Sequence, residues 1–207
     1  MNFITPGFRA PIFALAGALL CGCASSKAES TQQVSTTSGP LAGMIGRQVV
    51  VLPAQLFATS SPAGTWDIRP EYAPMLPILD EEITDAFRKR GVRNNWTFAQ
   101  MLIAAATRNA GLAGNPLALP VAGIRRWKAG DTPLPEPLAG EIRTLVSLTS
   151  ARYVIMPLET RLNLGGAQRR GTLNVLLIDA RTARVLWAGE VEGQSSSDPA
   201  IVAEALS

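Results

Sequence analysis

The residue types that most often carry out catalysis are scarce in this chain of 207 residues. It contains no histidine, which excludes a Ser-His-Asp triad, a histidine general base and a zinc site with histidine ligands. Its cysteines, Cys21 and Cys23, are too close in sequence for an unstrained disulfide, and there is no third cysteine. Gly165 and Gly166 lie between two strand patterns and predict a turn rather than a phosphate-binding loop. We therefore expect neither a metal site nor a bound cofactor.

Carboxylates are the remaining groups for acid–base chemistry. Two pairs could act as the carboxylates of a glycosidase do, Asp67 with Glu71 and Asp131 with Glu136. Nothing in the sequence sets either pair at a defined separation, so solvated loop charges are the favoured interpretation. We predict that the chain is not an enzyme, and a carboxylate-dependent cell-wall or glycan enzyme is the alternative.

The amino-terminal segment predicts export and lipid attachment. One charge, Arg9, precedes the apolar run 12–20, which is too short to span a bilayer and is typical of a signal peptide. The following Leu20-Cys21-Gly22-Cys23 resembles the lipobox of bacterial lipoproteins, although Cys21 stands where that pattern usually has Ala, Ser or Thr. The resemblance implies cleavage before Cys23 and a diacylglycerol and palmitate anchor on Cys23.

The expected organisation follows from this cleavage site. Residues 1–22 are the lipoprotein signal peptide, 23–44 a flexible tether rich in small polar residues, and 45–207 a single periplasmic domain. Ala24 and Ser25 after the acylated cysteine imply sorting to the outer membrane, with the domain facing the periplasm. The mature chain has a net charge of +2, so nothing indicates nucleic-acid binding.

Hydrophobic patterns predict an α/β domain, an α+β sandwich with a mixed sheet packed against helices. Asp80, Glu81 and Glu82 are expected in the first turn of the first helix, and Thr97 is expected to cap the second. A final antiparallel meander has Asp179 supporting a turn. The predicted strands are 47–53, a short one around Trp96, 152–158, 172–179 and 184–191, and the predicted helices are 78–90, 98–110, 136–149 and 199–206.

Several sequence stretches together resemble an α/β fold of envelope proteins. They are VVVLP from residue 49, RKRGV from 88, TSARYVIMPLE from 149 and LLIDARTARVLWAGEVEG from 176. The fold occurs in penicillin-binding-protein activator lipoproteins, in the periplasmic part of the curli-secretion lipoprotein and in the amino-terminal domain of TolB. The resemblance covers about residues 47–206 in order of elements. Ala183 stands where such chains often have glycine in an Asp-x-x-Thr-Gly turn.

Two irregular segments, 59–77 and 111–135, hold the candidate binding residues. Aromatic rings flanked by cations can dock on a carboxylate-bearing protein, acidic headgroups or wall polymer. The candidates are Arg125, Arg126, Trp127 and Lys128, together with Trp66 and Tyr72. We expect a membrane-anchored, non-catalytic interaction or assembly module of a cell-envelope complex, with an envelope protein as its partner. The sequence leaves the partner's identity and the oligomeric state open.

Overall fold

The computed structural model describes residues 41–44, 46–60, 65–92, 95–130, 133–163 and 169–195. The predicted signal peptide, most of the predicted tether, the 165–166 turn, Asp131 and the helix predicted over 199–206 lie outside these residues. The strands are β1 (Val49–Val51), β2 (Leu56–Ser60), β3 (Trp66–Ile68), β4 (Trp96–Thr97), β5 (Tyr153–Asn163), β6 (Arg169–Asp179) and β7 (Arg184–Ser195). The helices are α1 (Leu76–Lys89), α2 (Ala99–Arg108) and α3 (Leu138–Ser147), with short 3-10 helices over Ala42–Met44, Pro70–Met75 and Ala122–Ile124.

The seven strands of the described residues form one mixed sheet built around the long strand β5. On one side of β5, β1 and β2 lie end to end, and both run parallel to it. Outside them lie β4, parallel to β1, and β3, antiparallel to β2. On the other side β6 and β7 follow as an antiparallel meander. The predicted mixed sheet with a carboxyl-terminal meander is confirmed.

Helices cover both faces of the sheet, which explains the continuous apolar run of β1. Val49 and Val51 pack with Leu79 and Ile83 of α1 in one core. Val50, which lies between them on the opposite face, packs in a second core with α2, α3 and the 111–135 segment. A strand with apolar neighbours on both faces needs no alternation of polar and apolar residues.

A β-bulge in β5 sets the orientation of the residues that follow it. The register with β6 shifts between Pro157 and Glu159. A bulge tolerates a proline inside a strand, because the ladder is already interrupted there, and it re-aims the next side chains. Glu159 consequently opposes Asn174 and lies on the face covered by the 111–135 segment.

The helices differ from the predicted ones at their amino-terminal ends. Because α1 begins at Leu76, no acidic residue lies in its first turn, and Asp80 is instead buried and accepts a hydrogen bond from the Ala54 N–H at 2.8 Å. The predicted cap of α2 is also wrong, since Phe98 is the N-cap residue and no side chain caps the helix. The predicted end of α1 is confirmed, with Gly91 in the left-handed region at φ +83°.

The sequence-based strands were too few and too short. Strand β3 falls within the 59–77 segment, and most of β2 precedes it, in a stretch for which no strand was predicted. The strands β5, β6 and β7 each have 11 or 12 residues and extend beyond the predicted bounds. These extensions are polar, so their sequence lacks the apolar run on which the prediction depended.

Candidate interaction surface

A buried carboxylate organises the end of the sheet beyond the bulge. Glu159 is 0% exposed and accepts hydrogen bonds from Arg125, one of them at 3.1 Å to Nε. The Arg161 guanidinium lies 3.4 Å from Glu159 and 3.2 Å from Glu190 of the neighbouring β7. We call Arg125, Glu159, Arg161 and Glu190 the ion-pair network. Its two positive and two negative charges balance.

The electrostatics of the ion-pair network depend on Arg125 and Arg161 together. Burial raises the pKa of Glu159, but the hydrogen bonds from Arg125 and Arg161 outweigh it, so that the net pKa is lowered. The hydrogen bond to Glu159 raises the pKa of Arg125. Both partners are therefore charged at neutral pH. A buried carboxylate of this kind is tolerated only while its cations remain in place.

The 111–135 segment has little regular structure, yet several contacts fix it to the sheet. The buried Gln55 side chain donates to the Pro116 carbonyl at 3.0 Å and accepts from the Leu119 N–H at 3.2 Å. Leu119 and Ile124 are buried in the larger core. These contacts place Arg125 over the sheet, where it reaches Glu159.

The ion-pair network leads directly to an exposed aromatic residue. The guanidinium carbon of Arg161 lies 5.9 Å from the centroid of the Trp66 ring. Trp66 is 37% exposed, and Ile68 on the same face of β3 is 46% exposed. We call Trp66, Ile68 and Arg161 the β3 surface. A cation over the face of an indole attracts the ring, which favours one orientation and lowers the entropy cost of binding through it.

The other candidate residues divide into inward-facing and outward-facing ones. Arg125 is a structural partner of Glu159 and not the exposed cation that the sequence suggested. Trp127 is half-buried against the larger core, and Tyr72 stacks on Phe57 with ring centroids 5.1 Å apart. Arg126 and Lys128 are exposed. Through Arg161, the ion-pair network links Arg125 of the 111–135 segment to Trp66 of the 59–77 segment. These are the two segments in which the sequence analysis placed the candidate binding residues.

The described carboxylates that were considered for catalysis each have a local partner. Asp67 accepts from the Thr65 hydroxyl at 3.3 Å, and Glu71 faces Arg69 at 3.6 Å. Glu136 accepts from the Gly140 N–H at 2.9 Å and pairs with Arg143. Asp67 and Glu71 lie in β3 and the 3-10 helix after it, whereas Glu136 precedes α3. Each of these three described carboxylates is thus held by a neighbour close in sequence.

Asp179 supports the turn between β6 and β7, as the sequence suggested. Its Oδ1 accepts from the Arg181 N–H at 3.0 Å. Its Oδ2 also accepts from Arg152 at 2.6 Å, an interaction that the sequence did not reveal. The turn ends at Ala183, which has φ +53°, in the region that glycine favours.

The described residues hold neither a metal-binding cluster nor a membrane-spanning helix. They contain no group of three or more histidine, cysteine, aspartate or glutamate side chains arranged to hold a metal ion. None of the helices in this part of the chain combines the length and apolar character needed to cross a bilayer.

Sequence reasoning missed Glu159, Arg161 and Glu190. A charged pair inside the apolar strand pattern, Glu159 and Arg161 after Leu158, was the available signal, because a charge in a buried strand requires a partner. The partner itself could not be read from the sequence, since Arg125 is 34 residues away.

The chain is a mixed α+β domain with an exposed aromatic residue beside the ion-pair network. No family model matches the chain, and no curated protein matches it. Among solved structures, the chain is similar to the LpoB C-terminal domain from Escherichia coli, at 14% identity over 76% of this chain and 93% of that one, with a TM-score of 0.36. It is also similar to lipoprotein GNA1162 from Neisseria meningitidis, at 13% identity over 75% and 90% of the two chains, with a TM-score of 0.41.

A third similar structure is a PelC dodecamer from Paraburkholderia phytofirmans, at 11% identity over 77% of this chain and 86% of that one, with a TM-score of 0.36. LpoB is an outer-membrane lipoprotein of the activator group that the sequence stretches resemble. At these identities the likeness is one of fold alone.

Proposed function

We propose that the chain is a lipid-anchored, non-catalytic interaction module of the cell envelope, attached to the outer membrane through Cys23 and facing the periplasm. The observation that carries this proposal is the β3 surface. Its exposed indole is held against Arg161, which is itself fixed by the buried Glu159. Aromatic and arginine side chains dominate the energetics of protein interfaces.

The chemistry of the chain supports binding rather than turnover. The absence of histidine from the sequence and the local pairing of Asp67, Glu71 and Glu136 favour binding over acid–base catalysis. The lipobox-like Leu20-Cys21-Gly22-Cys23 supports the anchor, and a periplasm-facing tether would bring the domain to an envelope protein. No observation favours the glycan-enzyme alternative.

The anchor is tested by metabolic labelling with a palmitate analogue in the wild-type chain and in Cys23→Ser. We expect label in the wild type alone. Label that persists in Cys23→Ser would contradict the assigned attachment site.

The binding role is tested by Trp66→Ala, which should weaken association with a cross-linked envelope protein about tenfold or more while the melting temperature stays nearly unchanged. The matched control is Leu112→Ala, because Leu112 is more exposed and lies outside the β3 surface.

A further inference from the structure

The outer edge of β3 presents backbone hydrogen-bonding groups to solvent. The Arg69 N–H donates to the Phe57 carbonyl at 3.2 Å. Hydrogen-bonded and non-hydrogen-bonded pairs alternate along an antiparallel ladder, so the next hydrogen-bonded residue of β3 is Asp67. The alternate residues Trp66 and Ile68 therefore direct their N–H and C=O groups away from β2.

This edge differs from the opposite edge of the sheet. Within the described ranges no strand pairs with the outer side of β3. On β7, in contrast, the Leu134 N–H donates to the Ala183 carbonyl just before the strand, and the Gly130 N–H donates to Val185 at 3.4 Å. The beginning of the β7 edge is thus covered by the end of the 111–135 segment. The β3 edge also carries two exposed apolar side chains on one face, which a paired strand could contact.

The charge of β3 indicates which kind of strand fits. Two copies of β3 paired antiparallel, with all three residues overlapping, would place Asp67 directly opposite its counterpart, and like charges in that position are destabilising. A strand from another protein can carry a basic residue there instead. Asp67 is exposed on the face opposite to Trp66 and Ile68, with the Thr65 hydroxyl as its hydrogen-bond donor.

We propose that the outer edge of β3 accepts an extended segment of a partner protein as an additional antiparallel strand, with apolar side chains against Trp66 and Ile68 and a basic side chain opposite Asp67. This inference rests on the proposed function, because it names the kind of partner that the β3 surface binds. Main-chain hydrogen bonds provide the attraction, and the side chains that alternate along the added strand provide the specificity.

Two synthetic peptides test the inference, Ser-Thr-Val-Lys-Val-Thr-Ser and the same sequence with Glu in place of Lys. Each is titrated into the isotope-labelled full chain, and amide chemical shifts are followed by NMR. We expect the lysine peptide to shift the amides of Trp66 and Ile68 and to bind about 2- to 30-fold more tightly than the glutamate peptide. Equal binding of the two peptides, or shifts confined to β7, would overturn the inference.

Two variants sharpen the test. Ile68→Pro removes an outward N–H but keeps the hydrogen bonds that Asp67 and Arg69 make to β2, so it should lose lysine-peptide binding. Asp67→Lys should reverse the preference between the peptides, and it keeps the inference falsifiable if Ile68→Pro does not fold. Concentration-dependent dimers of the wild type that Ile68→Pro abolishes would show that a second copy occupies the edge.

The outcomes also separate this inference from the proposed function. An envelope protein whose cross-linking at Trp66 is unaffected by Ile68→Pro would refute strand addition and leave the interaction module in place. If the chain with Cys23 and Ile68 intact forms no cross-link to any envelope protein, the proposed function itself is refuted.

Discussion

Removing the Arg125 guanidinium should cost far more stability than removing any exposed cation of the same segment. Arg125→Met keeps most of the apolar stem and deletes the charge, which leaves the fully buried Glu159 with Arg161 at 3.4 Å as its remaining cation. Breaking a buried ion pair by removing one partner costs about 3–5 kcal/mol. Because Arg161 remains, we expect about 3 kcal/mol, which for a domain of this size lowers the melting temperature by roughly 6–12 °C.

The pH dependence of the stability lost in Arg125→Met tests whether the charge of Glu159 causes that loss. In the wild type the lowered pKa of Glu159 contributes stability that is present above its unfolded value of 4.5 and is lost as the pH falls through the folded value. In Arg125→Met burial is less opposed, so the folded pKa of Glu159 is higher than in the wild type. The difference between the two proteins should therefore be largest near neutral pH and shrink towards pH 4.

Urea unfolding at pH 7.5 and pH 4 measures this difference. Arg126→Met is the matched control, since Arg126 is exposed, and its effect should stay within about 0.5 kcal/mol. Adding Glu159→Gln to Arg125→Met should recover part of the lost stability, because it removes the uncompensated charge. Equal effects of the two arginine variants, or a loss that does not change with pH, would refute the assigned role of the network.

Three further substitutions test individual features of the fold. Burial raises the pKa of Asp80 to about 6, above its unfolded value of 3.8, so the folded domain loses stability as the pH rises from the lower to the higher value. Asp80→Asn should therefore stabilise the domain by about 1–2 kcal/mol at pH 7.5 and by almost nothing at pH 4, as measured by urea unfolding. Ser150 is exposed and has φ +57°, so Ser150→Gly should stabilise the domain by about 0.5–1 kcal/mol. A lower melting temperature for this variant would contradict the left-handed backbone conformation at Ser150. A Cβ at Gly189 would overlap the Trp187 ring, so Gly189→Ala should destabilise by about 1–3 kcal/mol and change the tryptophan fluorescence, whereas Gly123→Ala, with open space around it, should do neither.

The elements that the sequence predicted well are those with apolar periodicity. The stripe that includes Leu79 and Ile83 lies on the buried face of α1, and Leu138, Ile142 and Leu145 are all buried in α3. A helix that packs on a sheet must carry such a stripe, so its position can be predicted from the spacing of apolar residues in the sequence.

The functional surface was less predictable because its order depends on distant contacts. Trp66 belongs to a strand of three exposed residues, which leaves no burial pattern in the sequence. Asp80 resembles a residue that stabilises a helix start, yet it binds the Ala54 N–H from the neighbouring link between strands. The role of Arg125 depends on the bulge that turns Glu159 towards it, and a bulge has no reliable sequence signature.

The most direct test of the interaction module is photo-cross-linking in cells, with a photoreactive aromatic amino acid in place of Trp66, so that an aromatic ring stays beside Arg161. Leu112, 76% exposed and outside the β3 surface, is the matched position for the control. We predict a discrete adduct with an envelope protein from the Trp66 position that requires Cys23 and is absent from the Leu112 position. No adduct at Trp66, or the same adducts from both positions regardless of Cys23→Ser, would contradict the account.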